Sequence, residues 1–277
     1  MRESLQGRNL SEPASGGIFF EQGNADKPGA GLPRLRFSML SGLKGLSHAV
    51  FTRQGGVSLP PCESLNVGLR TPDRPEAVRT NLELIRLAMG TKRLVYLDQV
   101  HGTEVVSLKK GGHTIPYSRV KADGMITDIP GLGLLIKQAD CQAVILYDPV
   151  RGVTGNIHCG WRGSVGGILG AAIMQMSRDF GTDPRDVFAA VGPSLGPCCA
   201  EFVGHERLFP PWFKRFMLSG DRFDFWAISR RQLIEAGLHP GRIATAGLCT
   251  RCRTDLFFSY RGEGETGRFA SVAMLIE

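Results

Sequence analysis

No apolar run in this 277-residue sequence approaches the roughly 20 residues of a membrane-spanning helix, which argues against a helical membrane protein. Residues 1–26 are polar and lack the apolar centre of a secretory signal, so a cytoplasmic location with no membrane partner is the expectation. Long runs of one charge are missing too. The formal net charge is +7, yet the basic residues are scattered and run no longer than pairs such as Lys109-Lys110 and Arg230-Arg231. Without a clustered patch or a nucleic-acid-binding signature, that charge points to solubility or a phosphate-bearing ligand rather than to nucleic acid. A disulfide framework is absent as well. The seven cysteines are odd in number, Cys198-Cys199 are adjacent, and Cys249-x-x-Cys252 stands alone. With no second C-x-x-C to complete a structural zinc site, these thiols read as reduced groups used for chemistry or packing. Histidine is scarce: six in the chain, none in an H-x-H pair. No Walker sequence is present, so nucleotide triphosphate binding lacks support.

What is there is an ordinary globular composition, 42% hydrophobic and 21% charged, in a chain long enough to bury a large core. Residues 1–34, rich in Gly, Ser and Pro, read as a loosely ordered extension with one short strand at Gly17-Ile18-Phe19-Phe20. Residues 35–277 follow without a linker or an internal repeat and read as a single catalytic domain. Asp73-Arg74-Pro75-Glu76 has the form of a capping box, and Val78, Leu82, Ile85 and Met89 recur at helical spacing up to Gly90. Strand patterns occupy 94–100, 104–108, 132–136, 143–147, 153–158 and 187–191. A helix is expected over 164–180, closed by Gly181, and a short one from Ser229-x-x-Gln232 to Gly237. The class is α/β or α+β.

Three segments concentrate chemistry: Asp98-Gln99-Val100-His101-Gly102 after a strand, Ala139-Asp140-Cys141-Gln142 before one, and His158-Cys159-Gly160-Trp161-Arg162-Gly163 between strand and helix. Zinc accepts imidazole and thiolate, and its catalytic sites keep a fourth position open beside three protein ligands. His101, Cys141 and His158 form such a set, at separations too long for a zinc finger but suited to neighbouring strand ends. Spacing alone does not separate this trio from ordinarily buried side chains. The glycine-rich turn after His158 adds amides at a helix start, with Arg162 placed to clamp an anion.

His101 in Gln-Val-His-Gly, Cys141 in Ala-Asp-Cys and His158 before Gly-Trp-Arg-Gly resemble the YfiH family of laccase-domain (polyphenol oxidase-type) proteins. The match continues through Thr52-Arg53-x-Gly55-Gly56-Val57-Ser58, Ser64-Leu65-Asn66, Ala122-Asp123-Gly124, Gly192-Pro193-x-x-Gly196-Pro197-Cys198-Cys199 and Phe258-Ser259-Tyr260-Arg261. It spans roughly residues 40–277. Arg70, Ala143, Ala200 and Gly262 depart from the family's usual histidine, proline, tyrosine and arginine, which bears on substrate preference rather than on metal ligation. The resemblance implies a four-layer α/β/β/α sandwich and a zinc at His101, Cys141 and His158. It also implies phosphorolysis of purine nucleosides (adenosine, inosine, guanosine, methylthioadenosine), with adenosine deamination as a companion activity.

On that reading Cys141, His158 and Arg162 carry the catalytic role. Arg53, Arg162 and Arg261 are candidate phosphate ligands, and Asn66 and Gln99 candidate hydrogen-bonders to ribose or base. Asp123 and Asp140 suit either a ligand-orienting or a turn role; Trp161 and Tyr260 suit either stacking on a base or core packing. The expected partners are purine nucleosides and phosphate, and the expected state a monomer or small homo-oligomer. Two rivals remain. Two histidines and a cysteine are also a copper set, with Met125 a conceivable axial ligand, for a laccase-like polyphenol oxidase. A Cys–His hydrolase acting on a peptidoglycan precursor would instead use Cys141 as nucleophile and His158 as base.

Overall fold

The computed structural model describes residues 17–22, 31–111 and 117–277 of the chain. Two six-stranded sheets face one another. The first runs, edge to edge, β1 (Ile18–Glu21), β2 (Arg34–Phe37), β3 (Leu46–Phe51), β14 (Phe269–Leu275), β7 (Leu132–Gln138), β4 (Arg93–Val95). The second runs β13 (Ile243–Thr245), β10 (Phe188–Val191), β8 (Gln142–Asp148), β9 (Val153–Cys159), β6 (Gly124–Thr127), β5 (Val105–Leu108). A small hairpin, β11 (Met217–Leu218) and β12 (Arg222–Phe223), stands apart.

Each sheet is covered on its outer face. Helix α2 (Pro75–Met89) packs Ile85 and Met89 against Ala270, Val272 and Met274 of β14. Helices α4 (Ile168–Phe180) and α5 (Phe225–Glu235) pack Ile173, Met176 and Leu233 on the other side, against Val144 and Leu146 of β8. The alternate residues of β8, Ala143, Ile145 and Tyr147, point between the sheets. Strands covered on both faces need apolar residues at every position, so β8 reads as a run and not as an alternation. Each side chain of Leu or Ile buried there stabilises the fold by about 1.5–3 kcal/mol. The result is the α/β/β/α sandwich. No helix of the described residues is long and apolar enough to cross a membrane.

Most predicted elements are present, and α2 and α4 stop at Gly90 and Gly181 as the sequence implies. Within the N-terminal segment, β1 pairs with β2 at the sheet edge and buries Ile18; residues 1–16 and 23–30 lie outside the described residues. Four expectations change. The strand over 94–100 is only Arg93–Val95, because the Leu97 carbonyl takes the Lys137 ammonium and the Gln99 side chain takes the Lys137 backbone instead of a ladder. The helix over 164–180 is two, α3 (Trp161–Val165) and α4, broken at Gly166-Gly167, which have little helical preference. Asp73 is not the N-cap: its carboxylate accepts from Ser58, Asn66 and the Arg74 amide, while Arg74 itself occupies the cap. Finally, α5 begins at Phe225, where Asp224 accepts from the Ala227 amide as a side-chain cap.

Candidate metal centre and cleft

The three ligand candidates converge where the chain passes between the sheets. His101 lies in the bend before β5, Cys141 in the turn joining β7 to β8, and His158 near the end of β9. Their donor atoms all lie within 4.8 Å of one another, and the two imidazole rings meet edge to face at 4.9 Å. A soft thiolate with two imidazoles, facing an open cleft, fits zinc held by three protein ligands. The close approach requires Gly160: a Cβ there would lie 3.0 Å from the Cys141 sulfur and 3.1 Å from the His101 ring.

Two carboxylates, the fully buried Asp123 and the half-buried Asp140, set this geometry. The His158 Nδ1 bonds Asp123 at 2.8 Å, which turns Nε2 toward the centre. The same carboxylate accepts the amides of His101 at 2.9 Å and Gly102 at 2.7 Å, and so holds His101 in its left-handed conformation at φ 62°. Asp140, also left-handed at φ 85°, accepts from the Thr250 and Ser259 hydroxyls and the Arg261 amide. Asp123 therefore takes the orienting role, and Asp140 takes the turn role that aims the neighbouring Cys141. Non-glycine residues are uncommon in that backbone region, and here each is fixed by several bonds.

Burial opposes charge on Cys141, yet His158 and His101 beside it bring the thiol down to about 6. Burial likewise opposes charge on His158, while the Cys141 thiolate and Asp123 hold it up to about 9. Asp123 stays below the ordinary carboxyl range: desolvation is outweighed by His158 and the Gly102 and His101 amides. A thiolate, the form that ligates or attacks, is thus the resting state near neutral pH.

The trio lines one side of a cleft of about 900 Å³. Arg70, Lys137, Arg162, Arg261 and Arg268 also line it, against the carboxylates of Asp98 and Asp140. Arg162 is exposed and stacks on Trp161 at 4.5 Å; Arg261 donates to the Glu201 carbonyl and lies over Phe202. Trp161, Phe202, Phe225 and Tyr260 supply an aromatic wall, with Tyr260 63% exposed and Trp161 packed edge-on to Phe202. Lys137, which the sequence reading passed over, is brought down by burial to about 8, with Asp98 partly opposing the shift. Arg268, also passed over, is half-buried beside Tyr260; burial lowers its pKa, but a guanidinium keeps its charge. Neither stood out in the sequence, since Lys137 lies in an apolar strand pattern and Arg268 after a glycine.

The remaining candidates are engaged by their surroundings. Arg53 does not line the cleft: its guanidinium is spent on the Glu63 and Thr254 carbonyls and on Glu263 at 2.7 Å. Asn66 is fully buried away from it, bonded to Thr71, Asp73, Gly68 and Arg268. Gln99 lines the cleft, but both ends of its amide pair with Lys137 backbone. Met125 is buried between the sheets among Leu97, Leu134 and Ile136 and is not a cleft residue, so it offers the trio no axial thioether.

A family model described as multi-copper polyphenol oxidoreductase laccase matches residues 47–276. The chain is similar to the purine nucleoside phosphorylase YfiH of Escherichia coli, 33% identical over 241 residues covering 84% of this chain and 95% of that protein. Purine nucleoside phosphorylase SCO2081 of Streptomyces coelicolor is 35% identical over 237 residues, covering 83% and 96%. Among solved structures, the hypothetical protein YfiH of Bacillus licheniformis superposes with a TM-score of 0.80 at 31% identity, covering 92% of this chain and 98% of that one.

Proposed function

The chain belongs to the YfiH-type family described as multi-copper polyphenol oxidoreductase laccase, and from that premise we propose that it is a zinc-dependent purine nucleoside phosphorylase. Its substrates on this reading are adenosine, inosine, guanosine and methylthioadenosine, with adenosine deamination as a second activity. The observation that carries the proposal is the juxtaposition, in one cleft, of the His101, Cys141 and His158 donors with five cationic side chains and an aromatic wall.

Phosphorolysis forms a bond from a phosphate oxygen to C1′ of the ribose and breaks the C1′–N9 bond. The bonding pair leaves on the purine, which is released protonated beside ribose 1-phosphate. The site must bring an anion to C1′ and keep water from competing. Arg162 and Arg261 offer forked donors to phosphate, and protonated Lys137 adds a compact positive charge deeper in the cleft. Trp161 and Tyr260 offer faces on which a purine stacks. Asp123 holds His158, and Asp140 holds the Cys141 turn, so the ligand set needs no rearrangement. When bound at His101, Cys141 and His158, zinc supplies a Lewis-acid position open to an anion or a water.

Incubation of the purified protein with adenosine and phosphate, followed by separation of products, tests this. Adenine plus ribose 1-phosphate is the expected outcome. Inosine alone would reassign the enzyme as a deaminase, and no turnover of any of the four nucleosides would reject the reading. Cys141→Ser should abolish turnover and metal retention at the trio together.

The Asp123–His158–Cys141 chain, with its lowered thiol, is also the arrangement a thiolate nucleophile needs. That favours the Cys–His hydrolase as the second reading. Alkylation of Cys141 only after chelation supports ligation; equal labelling before and after it supports the hydrolase.

A further inference from the structure

Four cysteines outside the cleft come together from two distant stretches of chain. Cys198 and Cys199 sit in the loop after β10, Cys249 and Cys252 in the turn after β13, and their sulfurs all lie within 4.8 Å of one another. The Cys252 sulfur is 3.6 Å from that of Cys198 and 3.6 Å from that of Cys199. Four sulfurs at about 2.3 Å from a central zinc stand about 3.8 Å apart along the edges of the tetrahedron. The spacing found is close to that edge.

A disulfide would pair two of the four at about 2.05 Å and leave the others apart, whereas one sulfur here is equidistant from two. The backbone is also arranged for a thiolate. The Gly196 amide donates to the Cys249 sulfur at 3.2 Å, and a side chain at Gly196 would collide with Cys249 and Trp226 at 2.9 Å. Amide donors to sulfur compensate the charge that four thiolates gather around one cation.

We propose that Cys198, Cys199, Cys249 and Cys252 bind a second, structural zinc ion, closed to substrate, that joins the two loops forming one wall of the cleft. The loops it would join are consequential. Ala200 and Phe202 follow directly on Cys199, and Tyr260 and Arg261 follow the Cys252 turn. The first loop also bonds the Asp140 carbonyl through the Leu195 amide, and the second bonds the Asp140 carboxylate through Thr250. The sequence carries the ligands as an adjacent pair and a C-x-x-C separated by about 50 residues, a pattern without the repeat that marks zinc ribbons.

The test counts metal, independently of any enzyme activity. Full-length protein made in zinc-supplemented medium and purified under reducing conditions should hold about two zinc ions per chain by mass spectrometry of metals. His101→Ala/Cys141→Ser should retain about one, and in cobalt medium it should show the intense thiolate-to-cobalt and visible bands of a four-sulfur tetrahedral site. Cys249→Ser/Cys252→Ser should lose one of the two. If that protein is insoluble, the cobalt spectrum of the His101→Ala/Cys141→Ser protein decides, since its four cysteines are intact. The proposal is overturned if the latter protein binds neither zinc nor cobalt. It is equally overturned if the cysteine variant keeps the full metal content, or if freshly purified protein carries a disulfide among the four in place of metal.

Discussion

At the residue scale, Asp123 and Lys137 do work that neither the metal ligands nor the arginines can do. Asp123 is fully buried, and it spends its charge on His158 Nδ1 and on three amides of the His101 bend. Asp123→Asn keeps the shape but removes the charge that fixes the His158 tautomer. Zinc affinity at the trio should fall about 10- to 100-fold, read by competition with a coloured chelator. Lys137 carries its charge only below about 8, because burial has lowered its pKa. Phosphate gains rather than loses negative charge as pH rises, so on the phosphorylase reading a rise in its KM as pH passes through about 8 would come from deprotonation of Lys137. Lys137→Arg, cationic at every working pH, should remove that rise, while Lys137→Met should raise KM about tenfold at pH 7 and flatten the profile. An unchanged profile in Lys137→Arg would take Lys137 out of phosphate binding.

At the element scale, the centre depends on how closely three short connections approach. The start of α3 passes over the Cys141 sulfur and the His101 ring, and a Cβ at position 160 would crowd both at 3.0 and 3.1 Å. Gly160→Ala should leave the circular dichroism spectrum intact, since position 160 caps α3 from outside the helix, yet lower metal occupancy at least tenfold. The sequence made the strands and helices around this point readable because their signals are local: β7 and β8 are largely apolar runs, and α2 repeats at helical spacing. The departures arise where a long-range bond outweighs the local pattern. Residues 97–100 look like strand but are drawn off by Lys137 and Asp123. Arg53 and Asn66 sit in recognisable motifs, yet their polar groups tie loops together instead of facing the cleft. The four cysteines are the clearest case, because nothing along the chain signals that residues 198–199 and 249–252 meet.

At the scale of the whole molecule, the cleft draws on both sheets. Lys137 and Arg268 come from β7 and the approach to β14, His158 from β9, and Cys141 from the turn that crosses between sheets. The site therefore holds its shape only while the two sheets stay in register against each other. The contact between them is an apolar layer around Leu134, Ile136, Met125 and Ala143, reinforced by the buried Asn156 amide of β9, which donates to the Leu134 and Ser271 carbonyls across the interface. Leu134 is wholly buried there. Leu134→Ala should cost about 2–5 kcal/mol, since a close-packed layer between two rigid sheets collapses little around a cavity. Metal bound only to the folded chain works in the opposite direction and adds about 4 kcal/mol when free zinc exceeds its dissociation constant a thousandfold. Urea unfolding of Leu134→Ala with zinc should therefore approach that of the chelated wild type. Tryptophan fluorescence and far-ultraviolet dichroism should report one shared transition in both. Two separated transitions would mean that each sheet unfolds with its own helices, and that the cleft joins two units instead of lying within one.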